Sequence, residues 1–109
     1  MDTDYAVVMT ACANEEDAKP IVMSLLSKEL AACVQVLPIK SYYLWKGDIV
    51  NDCEALLLIK CNKSKFEEIK NEILALQKYE LPEIIQLPVS DGFEKYLNWI
   101  DDPLKSFVK

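Results

Sequence analysis

The first third of the chain carries an unbroken apolar run followed by apolar residues at helical spacing. Residues 5–12 form a short apolar run whose length suits a strand buried on both faces. Asn14 is a good N-cap, and the acidic residues that follow it suit a first helical turn. The apolar residues beyond it predict a helix that runs to about Leu30. Pro20 falls inside this helix, where it predicts a kink or an irregular first turn.

The middle of the chain predicts a long β-hairpin. Its first strand runs from Cys33 to Trp45 and contains Pro38, which predicts a bulge or an edge position. After a turn at residues 46–48, residues 55–59 form another strand that we expect to be buried on both faces. A strand of ~13 residues spans about 43 Å, whereas a domain of this size is only about 35 Å across. We therefore expect the aromatic hairpin tip to overhang the core, which favours an oligomer over a hairpin that folds back at Pro38.

The second half of the chain predicts a helix, a short strand and a final helix. Ser64 and Glu67 form a capping box at the start of the first of these helices. Residues 84–87 form the last strand, and Ser90 or Asp91 caps the final helix, after which a short tail remains. The apolar faces of the two helices consist of Phe66, Ile69, Ile73 and Leu76, and of Phe93, Tyr96, Leu97 and Ile100.

The predicted order is therefore β-α-β-β-α-β with an added C-terminal helix. This order is the ferredoxin-like split βαβ motif, an α+β sandwich in which both main helices lie on one face of an antiparallel sheet. The chain has 109 residues, the size of one domain, so we assign residues 1–109 to a single domain. Because 51% of the residues are hydrophobic, one core can form without disulfide or metal staples.

The composition excludes several classes of function. The chain has no His and no Arg, so it lacks an imidazole base, the commonest metal ligand and a bidentate anion clamp. We therefore expect no enzyme. The net charge of −6 disfavours nucleic acid and anionic membrane surfaces as partners, and no apolar run approaches the ~20 residues of a membrane span. The acidic N-terminus lacks an apolar signal segment, which favours a cytoplasmic location.

The four cysteines include one candidate metal ligand. None of them forms a Cys-x-x-Cys pair, and we interpret them as free thiols in a reducing compartment. Cys12 lies between the first strand and the N-cap of the first helix, where a helix N-terminus favours the thiolate. Copper chaperones of this fold use Met-x-Cys-x-x-Cys at this junction, and the second cysteine is missing here. We favour an inert thiol over a metal ligand.

Two further places carry candidate binding residues. Lys60 ends an apolar strand. Its ammonium group either binds an anion at a cleft or extends to water at the end of the strand, and we favour the second interpretation. Tyr79, Glu80 and Glu83 surround a turn, where they bind a cation or a partner amine, or simply solvate the turn. Two carboxylates without a base, a nucleophile or an oxyanion device do not predict a glycosidase.

Six segments of the chain resemble the CutA family in their order and spacing, over roughly residues 5 to 100. The resemblance implies a ferredoxin-like protomer in a tight homotrimer, with long hairpins that exchange sheet contacts between neighbours, as in the architecture of PII signalling trimers. It also implies a cytoplasmic protein with a role in divalent-cation tolerance, and copper binding is attributed to the family. The segments are Leu30-Ala31-Ala32-Cys33-Val34, Ser41-Tyr42-Tyr43-Leu44-Trp45-Lys46-Gly47, Leu57-Leu58-Ile59-Lys60, Tyr79-Glu80-Leu81-Pro82-Glu83-Ile84-Ile85, Leu87-Pro88-Val89 and Tyr96-Leu97-Asn98-Trp99-Ile100.

The chain departs from the family at the positions implied for copper. Many members read His-Pro-Tyr-Glu where this chain has Gln77-Lys78-Tyr79-Glu80. An ungapped alignment places Thr10, Leu76 and Gln77 where some members carry proposed Cys and His ligands. No cofactor is therefore certain, and copper enters only through the resemblance. We expect any soft-metal binding to be weak and to depend on Cys12.

The resemblance and the residues together suggest a trimeric ion- or small-ligand-binding protein with a site between protomers. The homotrimer and a metal ion or small ligand are its expected partners. The alternative is a PII-like trimeric scaffold that docks a protein partner without binding metal. The expected binding residues are Trp45, Lys60, Tyr79, Glu80 and Glu83.

Overall fold

The computed structural model describes residues 2–103, and its elements follow the predicted order. Met1 and the predicted tail at 104–109 lie outside the described residues. Among the described residues, no helix is long and apolar enough to cross a membrane. The elements are β1 (Tyr5–Cys12), α1 (Glu15–Ser27), β2 (Cys33–Trp45), β3 (Asp48–Asn62), a 3-10 turn (Lys63–Lys65), α2 (Phe66–Leu76), β4 (Ile85–Pro88) and α3 (Glu94–Asp101).

The four strands form one antiparallel sheet in the order β2-β3-β1-β4. Alternate residues of β1 and β3 pack against α1 and α2 on a single face of this sheet. The predicted α+β ferredoxin-like sandwich is therefore confirmed. Its most deeply buried large side chains are Val8, Ile21, Leu25, Leu57, Ile59, Ile69 and Ile73.

The sequence predicted that β1 and β3 are buried on both faces, and this prediction is wrong. Each strand is more deeply buried on one face than on the other. In β3, Leu57 and Ile59 are fully buried, whereas Leu56 and Leu58 are only half-buried. Successive side chains of a strand point to opposite faces, and α1 and α2 cover one face only. The other side of the sheet is apolar and largely uncovered within the protomer. We call it the open sheet face, and it consists mainly of Val7, Met9, Leu37, Leu56, Leu58, Ile85 and Leu87.

One end of the open sheet face is covered by α3. The Tyr5 hydroxyl donates to Asp101 Oδ2 at 2.6 Å, and Asn62 Nδ2 donates to Asp101 Oδ1 at 2.9 Å. The hydrogen bond to Asp101, together with burial, raises the pKa of Tyr5 to about 12. The Lys60 ammonium lies 5.3 Å from the ring centroid of Tyr96 in α3. These contacts attach the C-terminal helix to the ends of β1 and β3.

The β2–β3 hairpin is continuous, and Pro38 occupies an edge position without a bulge. The register is unbroken from Trp45–Asp48 to Cys33–Lys60. The turn residues Lys46 and Gly47 have φ values of 50° and 85°, as a two-residue type I′ turn requires. In such a hairpin the backbone N–H groups of even-numbered β2 residues point away from β3, so Pro38 removes no bond from the pair. The protomer measures 47 × 30 × 25 Å, an elongation that agrees with the predicted overhang.

The helix α1 ends three residues earlier than predicted. Glu29 has a φ of 56°, and its N–H donates to the Leu26 carbonyl, while the Leu30 N–H donates to the Leu25 carbonyl. This pattern is a Schellman motif, which the sequence hides because the left-handed residue is not glycine. The predicted N-cap is confirmed, since Asn14 Oδ1 accepts from the Asp17 N–H at 2.8 Å. The helix continues through Pro20.

The predicted caps of α2 and α3 are wrong. Asn62 Oδ1 accepts from the Ser64 N–H at 3.0 Å and caps the 3-10 turn, so α2 begins at Phe66 without a side-chain cap. At α3, Asp91 Oδ1 accepts from the neighbouring Gly92 N–H rather than from the helix. Phe93, expected on the apolar face of α3, precedes the helix and is 73% exposed. At α3 a nearer backbone donor captures the capping side chain, whereas at α2 the Ser64 N–H itself donates to Asn62, so a 3-10 turn precedes the helix.

The buried thiol of Cys61 is expected to make stability pH-dependent in alkaline solution. Burial raises its pKa from 9.0 to about 11. Because the folded pKa is the higher one, the neutral thiol stabilises the fold fully below about pH 9, and this contribution is lost as the pH rises through about 11. We expect about 2–3 kcal/mol of the free energy of unfolding to depend on this group. Urea unfolding of Cys61→Ala between about pH 8 and pH 11 should show a flatter pH dependence than the parent.

The control for this experiment is Cys53→Ala, because Cys53 is exposed. The other thiols and phenols common to the parent, Cys61→Ala and Cys53→Ala contribute equally to all three proteins. Their contributions cancel when the pH dependence of the free energy of unfolding is compared. Equal slopes for Cys61→Ala and the parent would contradict the prediction. All measurements need one fixed protein concentration, since association shifts apparent stability.

Candidate functional site

A cleft of about 690 Å³ lies between the hairpin arm and the segment that leads into β4. This volume falls in the range of small-molecule sites. The hairpin brings aromatic side chains from the end of β2 to one wall, and residues 78–83 form the facing wall. The lining consists of Ala11, Ser41, Tyr42, Tyr43, Leu44, Trp45, Glu54, Lys78, Tyr79, Glu80, Leu81 and Glu83.

The cleft contains four of the five binding residues that the sequence suggested. Trp45 belongs to the hairpin wall, and Tyr79, Glu80 and Glu83 belong to the opposite wall. Lys60 does not line the cleft of its own protomer. It pairs with Cys33, at the end of the hairpin farthest from Trp45, where it contacts α3. The register of the hairpin, which the sequence pattern does not reveal, separates Lys60 from the other four.

Two tyrosine–carboxylate pairs fix the geometry of the cleft. The Tyr79 hydroxyl donates to Glu54 Oε2 at 2.9 Å, and the Tyr43 hydroxyl donates to Asp52 Oδ2. Burial, reinforced by Glu54, raises the pKa of Tyr79, and the bond to Asp52 raises the pKa of Tyr43. Both phenols therefore remain protonated donors at neutral pH. They hold the segment at residue 79 against β3 and orient the rings in the cleft.

Sequence reasoning missed Glu54 and Asp52. Both belong to the polar stretch at the start of β3, next to the hairpin turn. From the sequence, we interpreted this stretch only as the second strand of the hairpin. The signal was present in the alternation of the strand, because Glu54 continues the same face as Leu56 and Leu58. A carboxylate on an otherwise apolar strand face needs a donor. Its donor, Tyr79, lies 25 residues along the chain.

The electrostatics of the cleft are acidic. Lys78 is the only basic residue in the lining, and its ammonium lies 2.8 Å from Asp17 Oδ1. This hydrogen-bonded contact to a carboxylate outside the lining raises the pKa of Lys78. Among the described residues, the lining therefore carries three carboxylates, at positions 54, 80 and 83, and one lysine. The cleft favours a ligand that carries positive charge.

Cys12 lies in the core rather than in the cleft. It is an even-numbered residue of β1, so its side chain points toward α1 and α2 and is almost fully buried. Burial raises the pKa of its thiol, opposed in part by the Gln77 amide, whose Nε2 lies 3.8 Å from Cys12 Sγ. The expectation that the helix N-terminus favours a thiolate is therefore wrong for this environment. Desolvation outweighs the helix end.

The residues at the positions implied for copper do not form a metal centre. Gln77 Nε2 donates to the Ala11 carbonyl at 3.0 Å and lies 3.5 Å from Thr10 Oγ1, so an amide donor fills this place. Within residues 2–103, no group of three or more His, Cys, Asp or Glu could hold a metal ion. The donors present do not fit a resident divalent cation. Weak soft-metal binding that depends on Cys12 stays a prediction.

Residues 6–103 match the family described as CutA1 divalent ion tolerance protein. The divalent-cation tolerance protein CutA of Thermus thermophilus is 40% identical over 95 residues, which cover 86% of this chain and 92% of that protein. A structure of the periplasmic divalent cation tolerance protein CutA from Archaeoglobus fulgidus has a TM-score of 0.88 at 34% identity, covering 93% of this chain and 99% of that one.

A plant relative is longer than this chain. The chloroplastic protein CutA of Arabidopsis thaliana is 37% identical over 92% of this chain, which spans 56% of the plant protein. Similar proteins are thus described as periplasmic and as chloroplastic. A cytoplasmic location therefore stays a prediction for this chain.

Proposed function

Because the chain belongs to the CutA divalent-ion tolerance family, we propose that it is a homotrimeric protein that binds an ion or small ligand and contributes to divalent-cation tolerance. The observation that carries the ligand-binding part is the cleft of about 690 Å³, with its aromatic wall and its carboxylates. Within residues 2–103, the cleft lining offers no nucleophile paired with a base. Binding rather than catalysis is therefore the function we propose.

The uncovered apolar surface supports the homotrimer. Leu37, Ile85 and Leu87 of the open sheet face are 39%, 47% and 45% exposed in the protomer. A contiguous apolar surface of this kind marks a protein interface. The strand β2 adds a 13-residue edge whose outward N–H and C=O groups are available to a neighbour. Association of copies would cover both the face and the edge.

A trimer also accounts for the separation of Lys60 from the cleft. Lys60 lies on the open sheet face, whereas Trp45 lies at the tip of the arm that extends beyond the core. A site that contains both residues requires two protomers, with the arm of one reaching the sheet of another. All four cysteines are free, and we include a reducing, cytoplasmic location in the proposal.

The proposal is tested by oligomeric state and by ligand-induced stabilisation. Native mass spectrometry and light scattering at micromolar concentration are expected to show trimers. A thermal-shift screen of ions and small molecules is expected to find a ligand that raises the Tm by mass action. The same ligand is expected to raise the Tm of Trp45→Leu by a smaller amount. The matched control is Phe93→Leu, because Phe93 is an exposed aromatic residue that does not line the cleft. Monomers at micromolar concentration would overturn the trimer, and a screen without any stabilising ligand would overturn the binding site.

The strongly exposed apolar side chains at the hairpin tip and in the segment 78–83 favour a second candidate function. Leu44, Ile49 and Leu81 are each at least three-quarters exposed. Such residues suit a PII-like trimeric scaffold that docks a protein partner without binding metal. In that case, Ile49→Ser would abolish capture of the partner and leave the thermal-shift response unchanged, because Ile49 is exposed outside the cleft lining.

A further inference from the structure

The side-chain amide of Gln77 meets three acceptors at the end of β1. Its Nε2 donates to the Ala11 carbonyl at 3.0 Å, and it lies 3.5 Å from Thr10 Oγ1 and 3.8 Å from Cys12 Sγ. Thr10 and Cys12 are at most 1% exposed, and as even-numbered residues of β1 they point away from the open sheet face. Association of copies through that face therefore leaves these contacts as they are in the protomer.

The orientation of this amide follows from the chemistry of its backbone partners. The Lys78 N–H donates to Gln77 Oε1 at 3.2 Å, whereas the Ala11 carbonyl lies on the nitrogen side. A peptide N–H only donates and a carbonyl only accepts, so a flipped amide would lose both hydrogen bonds. The NH₂ group therefore directs its two hydrogens toward the carbonyl, the hydroxyl and the thiol.

A carbonyl, a hydroxyl and a thiol around one point are groups that can also coordinate a cation. Oxygen ligands suit hard cations, and a thiolate suits Zn²⁺ or a cuprous ion. Here a positively polarised NH₂ group occupies that point and uses the lone pairs of the three acceptors. A cation that approached the same lone pairs would be repelled by its hydrogens, so it could bind only after the amide had left. Residues 2–103 also contain no group of three or more His, Cys, Asp or Glu that could hold a metal ion instead.

Gln77 connects three parts of the fold. Its backbone N–H donates to the Ile73 carbonyl at 2.7 Å at the end of α2, and residues 78–83 beyond it form one wall of the cleft. Its side chain ties both of these parts to β1. We propose that the Gln77 amide replaces a bound cation at this junction and holds the cleft wall against β1 without metal. Gln77 is thus a positioning residue outside the cleft lining, and the inference does not depend on which ligand the cleft binds.

The test replaces the amide by the carboxylate of the same shape. Gln77→Glu keeps the length of the side chain but puts a negative oxygen where the NH₂ group donates to the Ala11 carbonyl. In EDTA at about pH 8, we expect its Tm to lie about 5–10 °C below that of the parent, because a buried acceptor loses its donor. A slight excess of Zn²⁺ is expected to restore at least about half of this loss, since the new carboxylate and the Cys12 thiolate are ligands that Zn²⁺ prefers.

Two further variants separate replacement of a cation from a simple hydrogen bond. Gln77→Met has a similar length and no polar end, so its Tm should fall by a similar amount and should not recover with Zn²⁺. Gln77→Glu combined with Cys12→Ser lacks the thiolate, so Zn²⁺ should no longer stabilise it. The parent is the matched control. Its Tm should change by less than about 1 °C when EDTA or Zn²⁺ is added, because a ligand that the folded state does not bind cannot stabilise it.

Each outcome decides the inference. Recovery with Zn²⁺ in Gln77→Glu alone, or folding of this variant only with Zn²⁺, supports it when the parent does not respond to EDTA. A parent whose Tm falls in EDTA and recovers with Zn²⁺ would show a resident cation and overturn the inference without any variant. Equal losses in Gln77→Glu and Gln77→Met that Zn²⁺ does not restore, or no loss in either, would also overturn it. The oligomeric state and the cleft ligand are measured separately, so the proposed function stands or fails independently.

Discussion

Leu37→Asp is expected to convert the proposed trimer into monomers. Leu37 lies on the open sheet face in the edge strand β2 and is 39% exposed in the protomer, so a carboxylate there stays hydrated when the chain is alone. In a trimer that covers this face, each of the carboxylates is transferred out of water without a partner. That transfer costs several kcal/mol per group. Native mass spectrometry and light scattering at micromolar concentration should therefore detect monomers, and circular dichroism should show that they remain folded.

The matched control for this variant is Leu74→Asp. Leu74 is 52% exposed on α2, which packs against the opposite face of the sheet. The same change of residue type at this position should leave the proposed trimer intact. If Leu37→Asp also remains a trimer at micromolar concentration, the open sheet face is not the interface. The proposed assembly would then have to use another surface.

Ile59→Ala is expected to lower the free energy of unfolding of the protomer far more than truncation of an exposed aliphatic residue does. Ile59 is fully buried at the centre of the core between β3 and the two main helices. Truncation removes buried apolar surface and leaves a cavity that a close-packed interior fills only partly. We expect the free energy of unfolding to fall by about 2–5 kcal/mol. Urea unfolding at one fixed protein concentration measures the change.

Leu74→Ala serves as the comparison for this truncation, since Leu74 is an exposed aliphatic residue away from the open sheet face. Its expected effect is within about 0.5 kcal/mol. A loss for Ile59→Ala that does not exceed that of Leu74→Ala would show that this part of the core does not control stability. The difference between the two variants is therefore the informative quantity.

Sequence reasoning located most of the candidate site but could not assemble it. Trp45 and the Tyr79–Glu83 segment stood out as aromatic and acidic residues beside turns, and the structure places them in one cleft. The partners Glu54 and Asp52 were missed, because their role depends on tyrosines that reach them from elsewhere in the chain. Lys60 was grouped with the cleft residues, yet the hairpin register places it at the other end of β2.

Helix ends show the same limit on a smaller scale. The Asn14 cap was predictable, because the Asn14 side chain and the Asp17 N–H that donates to it lie three residues apart in the chain. The Ser64 capping box failed, since Asn62 captures the Ser64 N–H and begins a 3-10 turn. The Schellman motif at Glu29 was also missed, because a residue other than glycine adopts the left-handed conformation.

The sequence alone determined the order of the elements, the ferredoxin-like fold, the long hairpin and the acidic, histidine-free chemistry of the chain. These properties follow from periodicity and composition, which act over a few residues and can be read along the chain. Only the tertiary structure decided that one face of the sheet is uncovered, that Cys12 is buried, and that Lys60 lies away from Trp45. These outcomes depend on strand register and on which surfaces the helices cover. Contacts between residues distant in the chain set both of them, and a local pattern does not encode such contacts.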